Sequence, residues 1–272
     1  MIKNRKLFII LCVSLVVVLI AAFVIFGLRV RKISVVYVDS TVAKNSSQNE
    51  IIRDVESIMN KNVLVLKDEE VSSLITNPYV EVLNVETVFP SSIVIQVQER
   101  IEEYYILYNG DFYVLDASLR VLRKAAGIVS SDGKNEELIE IKVDEDNISK
   151  IEIGEVVTFD NSVSNTYHKT FESLIDLFGR AGYTNLEYRR LISSIRINEH
   201  KELTVDFKNK TMLDGLKMSF VIAQIDVDAF DKIHTALSVF AELSDMERIN
   251  GTIYVNGAKV NGTYQAVYNA GN

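Results

Sequence analysis

The uncharged run from Leu7 to Leu28, LFIILCVSLVVVLIAAFVIFGL, constrains this chain more than any other feature, and it holds a single hydroxyl, on Ser14. As one α-helix it would be roughly 33 Å long, against a bilayer hydrocarbon core of roughly 30 Å. A helix apolar on every side has no polar face for water and no single stripe to pack into a globular core. Lys3, Arg5 and Lys6 before the run, and Arg29, Arg31 and Lys32 after it, mark its ends. A cleaved signal peptide would have a shorter apolar centre, of about 7 to 15 residues, followed by a small-residue site. Arg29 to Ser34 offers no such site. The run is therefore expected to stay as one transmembrane signal anchor, residues 7–28, behind a cytoplasmic tail, residues 1–6.

Three basic residues on each side leave the positive-inside comparison balanced. The short tail favours the orientation of a single-pass type II protein, with the body on the extracytoplasmic side of the cell membrane. All 37 Asp and Glu lie beyond the run, whereas six of the 29 Lys and Arg flank it, so the body is more acidic than the net charge of −8 suggests. Such a surface does not attract the phosphates of nucleic acid. Cys12, the sole cysteine, falls inside the run, which leaves the body without a disulfide, a thiolate nucleophile or a cysteine metal site.

Ile33 to Val38 alternates with β-branched and aromatic residues and reads as a strand. Ser47-Gln48-Asn49-Glu50 is a capping box, and Ile51, Ile52, Val55, Ile58 and Met59 follow at helical spacing. After the short apolar stretch Val63 to Leu66, read as a short strand, Asp68-Glu69-Glu70 opens a second helix that continues through Val71, Leu74 and Ile75 and stops at Asn77-Pro78. Tyr79 to Val88 and Ser92 to Glu99 then read as a hairpin about Phe89-Pro90-Ser91.

Three strings of this part, Asn77-Pro78-Tyr79-Val80, Val85 to Ile95 with its Phe89-Pro90-Ser91-Ser92 turn, and Val97-Gln98-Glu99-Arg100, resemble the POTRA domain of the FtsQ/DivIB bacterial cell-division family. Glu102 departs from the resemblance, since that family often has Pro two places after the Arg. Related POTRA domains also occur in outer-membrane assembly and secretion partners. The resemblance implies a POTRA domain over residues 33–100 and a β domain over residues 101–272.

In the second part, Tyr104 to Tyr108 and Phe112 to Leu115 flank Asn109-Gly110-Asp111, a strong hairpin signal. Asp116 through Val121 is similar to the family's D-x-x-G-x-V turn, with Leu119 where Gly is usual. A helix is expected from Asp160 or Ser162, with Tyr167, Phe171, Leu174, Ile175 and Phe178 on one face and Gly182 as its stop. Ile192 to Ile197 and Leu203 to Phe207 read as another hairpin. A last helix carries Phe230, Ile233, Leu237 and Phe240, and strand-like Thr252 to Val255 and Thr263 to Tyr268 follow, with Asn-Gly pairs at 256 and 261 as turns. Leu213-Asp214-Gly215 stands poorly for the family's Leu-Gly before that helix. Successive hairpins with helices to one side give an α+β fold, a transmembrane helix followed by a small domain and an antiparallel-sheet domain.

Catalytic constellations are scarce. Ser131-Asp132-Gly133-Lys134 fits the Ser-x-x-Lys of penicillin-binding transpeptidases, but Asp-Gly points to a loop and neither Ser-Asp-Asn nor Lys-Thr-Gly accompanies it. His168, His200 and His234 form no zinc-type pair, and Asp226, Asp228 and Asp231 lack the Gly and distal Glu of a calcium loop; the helix dipole accounts for these acids. No catalytic residue, metal site or cofactor is expected.

Surface for partners remains. Late strands of such a sheet present an edge that can accept another chain's strand. The resemblance implies a non-enzymatic scaffold of the division septum that contacts coiled-coil division proteins of the FtsB/DivIC and FtsL type. By position, the candidates are Thr252, Ile253, Tyr254 and Val255, with Tyr264 and Val267 as second choice. The competing expectation is another POTRA-bearing membrane component, for secretion or envelope assembly.

Overall fold

The computed structural model describes residues 2–38, 45–128, 138–160, 164–208 and 216–271. The chain forms two compact units, Met1–Arg100 and Ile101–Asn272.

The first unit opens with α1, Ile2–Ala22, whose first turns carry Lys3, Arg5 and Lys6. The apolar part of α1 that remains, ending at Ala22, is roughly 24 Å long. The run continues as a π-helical turn, Phe23–Gly27, in which the Phe23 ring lies over Gly27, where a Cβ would sit 2.8 Å from the ring edge. The expected α-helix over residues 7–28 is thus divided at Ala22. Among the described residues no helix is long and apolar enough to cross a membrane.

Strand β1, Lys32–Tyr37, follows at once. Helix α2, Gln48–Asp54, begins where the Ser47 hydroxyl accepts from the Glu50 amide at 3.2 Å, and a short 3-10 turn, Glu56–Ile58, extends it. Helix α3, Asp68–Ser72, places its three acids in the first turn, where the helix dipole favours them. Residues 63–66, expected as a strand, form a turn instead. Residues 61 and 63 bond to the segment leaving the helix: the Val63 amide donates to the Leu28 carbonyl at 2.8 Å, and the Val30 amide donates to the Lys61 carbonyl at 2.9 Å. Strands β2, Val80–Val88, and β3, Ser92–Glu99, form the expected antiparallel hairpin. The long helical connection lets β1 run parallel to β3, giving the order β1-β3-β2. Ile51, Val55 and Ile58 cover one face of this sheet and are fully buried with Ile93, Ile95 and Val97. Each such side chain contributes at most about 1.5–3 kcal/mol by removal from water.

The second unit holds β4, Tyr104–Tyr108; β5, Asp111–Leu115; β6, Val121–Ala125; β7, Ile139–Lys142; β8, Ile148–Lys150; and β9, Thr158–Phe159. After these come α4, Ser164–Arg180; α5, Asn185–Leu191; β10, Ile192–Ile197; β11, Leu203–Phe207; β12, Met218–Ile222; α6, Ala229–Glu242; β13, Gly251–Val255; and β14, Ala266–Asn269. Nine strands make one sheet in the order β14-β13-β12-β11-β10-β7-β4-β5-β6, and β8 and β9 pair separately. The sheet is mixed where an antiparallel one was expected. Pairs β4–β7, β7–β10 and β12–β13 are parallel. Parallel neighbours need crossovers: α4 and α5 supply that between β7 and β10 and α6 that between β12 and β13, whereas β4 is joined to β7 by way of β5 and β6.

The core forms under these helices. Phe159 stacks on Tyr167 at 4.3 Å between ring centroids, and Phe207 stacks on Phe240 at 4.9 Å. Such pairs add about 0.5–1.5 kcal/mol each beyond their burial. Asn109 and Gly110 take positive φ, 51° and 81°, as the expected hairpin turn requires. Leu119 adopts the left-handed conformation, φ 64°, in the position where the family pattern has Gly. Asp116 enforces it: one carboxylate oxygen accepts from the Ser118 amide at 2.9 Å, the Ser118 hydroxyl at 2.7 Å and the Arg120 amide at 2.9 Å. Gly182, φ 91°, closes α4, its amide donating to the Gly179 carbonyl at 3.0 Å.

Candidate functional site

The late strands are laid down by α6 and its flanks. Ile233, Ala236, Leu237 and Phe240 of this helix are buried, and β13 pairs parallel to β12 beyond it. Alternation along β13 sends Ile253 and Val255 into the core, whereas Thr252 and Tyr254 face outward. The Thr252 hydroxyl lies 3.3 Å from that of Ser219 on β12. Strand β13 is bonded on both sides, to β12 and to β14. It therefore has no free edge for an added strand, and of its candidates only Thr252 and Tyr254 have side chains that reach the surface. Among the described residues the sheet ends on this side at β14, as it does on the other at β6. Val267 on β14 is 56% exposed and pairs in register with Tyr254, which is 44% exposed. With half-buried Val221, the partner of Tyr254 on β12, they form an apolar row running to the open edge.

Two anchors hold β14 in place. At one end the Tyr268 hydroxyl donates to the carbonyl of Asn250 at 2.7 Å, with that of Glu247 at 3.1 Å. Its ring occupies the space beside Gly251, φ 133°, where a Cβ would lie 2.5 Å from the ring and 2.6 Å from the Asn269 carbonyl. At the other end Tyr264 is not free for a partner. Its ring lies between Lys232 and Lys259, both ammonium groups 5.0 Å from the centroid, and its hydroxyl donates to Asp228. Hydrogen bonding from Tyr264, then Lys259, holds the Asp228 carboxyl below its ordinary range. Lys232 is itself buried and donates to the carbonyls of Ala223 at 3.0 Å and Gln224 at 2.6 Å. Just before Tyr264, Asn261 and Gly262, φ 53° and 85°, form the expected turn, whereas neither Asn256 nor Gly257 takes positive φ.

The acids near α6 are engaged by lysines. Asp226 pairs with Lys201 at 2.6 Å, and Lys259 reaches Asp228 at 3.1 Å and Asp231 at 3.6 Å. Among the described residues no group of three or more His, Cys, Asp or Glu is placed to hold a metal. His168 packs edge-on against Phe159 at 6.0 Å, and burial lowers its pKa; His200 and His234 are exposed. The Ser131 to Lys134 string, Ser162 and the Leu213-Asp214-Gly215 string lie outside the described residues. A feature that sequence patterns missed is the buried polar group at the start of β4. Glu102 takes a two-pronged bond from Arg123, at 2.7 and 3.2 Å, and its carbonyl accepts from Arg189 at 2.6 Å. Glu103 accepts from Asn185 at 3.0 Å. Consecutive acids after a strand-like stretch read as surface, and nothing local signals that Arg123 and Arg189 fold back onto them.

No protein-family model matches the chain. Over 136 residues it is 28% identical to the cell division protein DivIB of Clostridium tetani (strain Massachusetts / E88). The match covers 49% of this chain, which spans about half, 48%, of the length of that relative. This similarity supports a relationship to the DivIB/FtsQ family of cell-division proteins.

Proposed function

We propose that this protein is a non-enzymatic scaffold of the division septum. Its residues 7–28 anchor it in the cytoplasmic membrane with the body outside, and the open edge of its sheet binds coiled-coil division proteins of the FtsB/DivIC and FtsL type. The observation that carries the reading is β14: a strand held by Tyr264 and Tyr268, with exposed Val267 and Tyr254 beside an edge that is unpaired among the described residues. An added strand gains main-chain hydrogen bonds from such an edge and side-chain selectivity from the apolar row. The division-protein relative supports the pathway, and the uncharged run of residues 7–28 as a whole, with basic residues at both ends, supports the anchor. In this reading residues 33–100 are a POTRA domain and residues 101–272 a β domain.

The test pairs location with binding. A fluorescent fusion of the full chain is expected to concentrate at mid-cell, and the chain to pull down division proteins of that coiled-coil type. Tyr254→Glu, which leaves the β13 backbone pairing intact and sets a charge in the apolar row, is expected to abolish capture. Uniform membrane fluorescence, or capture unchanged by Tyr254→Glu, would overturn the proposal.

A further inference from the structure

We infer that two loops of the first unit enter the lipid headgroup region, so that this unit is seated on the bilayer and not merely tethered to it. The inference rests on the membrane-anchored reading above, and its geometric basis is a register. Residues 60–63 run antiparallel to the chain leaving the apolar helix: the Asn60 amide donates to the Val30 carbonyl, the Val30 amide to that of Lys61, and the Val63 amide to that of Leu28. The chain then turns back, with the Leu64 amide donating to Asn62 Oδ1 at 2.9 Å and the Val65 amide to the Asn62 carbonyl at 3.3 Å, so Leu64 and Val65 stand at the tip of a turn whose base is bonded to the end of the apolar run. The Asn62 side chain fixes the approach by donating to the Val24 carbonyl, inside the π-helical turn, at 2.9 Å.

The second loop reaches the same level from the sheet. Lys32 pairs with Ser92 at the start of β1 and β3, and the Arg31 amide donates to the Ser91 carbonyl at 2.8 Å. Phe89, just before this point, is therefore held level with the residues that leave the helix. Both loops carry apolar side chains with little protein around them: Leu64 is 55% exposed, Val65 73% and Phe89 63%. Nearby charge fits an anionic surface. Arg31 and Lys32 are exposed in the connecting segment and Lys61 opens the first loop, where Glu70 pairs with it. Apolar side chains beside basic ones, continuous with a spanning helix, fit the boundary between headgroups and acyl chains. Water would be an unfavourable surrounding for the same three residues.

The experiment uses the full chain in vesicles of phosphatidylethanolamine and phosphatidylglycerol. With Cys12→Ser as background, Val65→Cys, Phe89→Cys and Thr76→Cys each carry one environment-sensitive fluorophore. Thr76 precedes β2 at the end of the sheet away from Val88. Lipids brominated near the headgroup end of the acyl chain are expected to quench the labels at 65 and 89 several-fold more than the label at 76. Label on the native Cys12 separates this inference from the anchor, because a spanning helix exposes it to bromines deep in the bilayer. Quenching at Cys12 with labels at 65 and 89 no different from 76 would overturn the inference while the anchor stands. Loss of quenching at Cys12 would remove the anchor and the inference together. Shielding of 65 and 89 from aqueous iodide without bromine quenching would assign the loops to a protein contact and overturn the lipid reading.

Discussion

The Tyr264 hydroxyl donates to Oδ2 of Asp228 across 2.8 Å, joining the loop that feeds the edge strand to the residue that precedes α6. Tyr264→Phe keeps the ring between Lys232 and Lys259 and loses only this bond, whereas Tyr264→Ala loses both. Hydrogen exchange at the β14 amides is expected to quicken slightly in the first variant and strongly in the second. Equal protection in wild type and Tyr264→Ala would show that the clamp does not hold the edge.

Lys232 is a core residue with a surface residue's chemistry. Buried completely, it donates hydrogen bonds to the Ala223 and Gln224 carbonyls, and burial lowers its pKa. Lys232→Met keeps the apolar stem and leaves those carbonyls without this donor, a loss of about 1–3 kcal/mol. The urea midpoint, followed by circular dichroism, is expected to fall accordingly. An unchanged midpoint would contradict the structural role.

Gly251 is expected to tolerate no side chain. In Gly251→Ala the new methyl must displace the Tyr268 ring or the Asn269 carbonyl, at a φ of 133° that residues with a Cβ rarely adopt. The backbone conformation alone costs about 1–3 kcal/mol. The β14 amides should lose protection while β10 and β11 keep theirs, and uniform protection across the sheet would refute this.

Glu103 makes the second unit sensitive to pH. Burial pushes its carboxyl up to about 7; Arg189 opposes the shift, Asp116 adds to it, and the hydrogen bond from Asn185 opposes it. The unfolded chain releases this proton near 4.5, whereas the folded one holds it up to about 7. Folding takes up a proton between those values, so this group's contribution is most favourable below about pH 4.5 and declines as pH rises toward 7. At 1.36 kcal/mol per pH unit the decline amounts to about 3 kcal/mol. Urea midpoints measured across this range should fall with rising pH in wild type. Glu103→Gln, which retains an acceptor for Asn185, should remove this component, and an unaltered pH slope would count against the assignment.

Much of the second unit was legible because its signals are local. Asn109-Gly110 made its hairpin, and the spacing of Tyr167, Phe171, Leu174 and Phe178 gave the buried face of α4. Strand order is not local. Thr252 to Val255 reads as an edge from its lateness in the chain, yet the edge belongs to β14, because β13 is enclosed between two neighbours. The same limit explains Tyr264, whose partners lie on α6 and to either side of it, and residues 63–66, whose apolar run reads as a strand although only Val63 pairs, with Leu28, before the chain turns on Asn62. Leu119 shows the reverse case. A residue poorly suited to its turn is held there by Asp116, at the price of local strain.

The central claim is that a partner adds at the open edge of β14, and an affinity series tests it most directly. Binding of the full-length chain to a coiled-coil division protein of the FtsB/DivIC type would be measured for wild type, Val267→Glu and Leu107→Glu. Leu107, on β4, is similarly exposed but distant in strand order. A charge at the edge contact is expected to weaken binding about tenfold or more, which corresponds to about 1.4 kcal/mol. Leu107→Glu is expected to bind as wild type does. Equal affinity for Val267→Glu and wild type would contradict the claim.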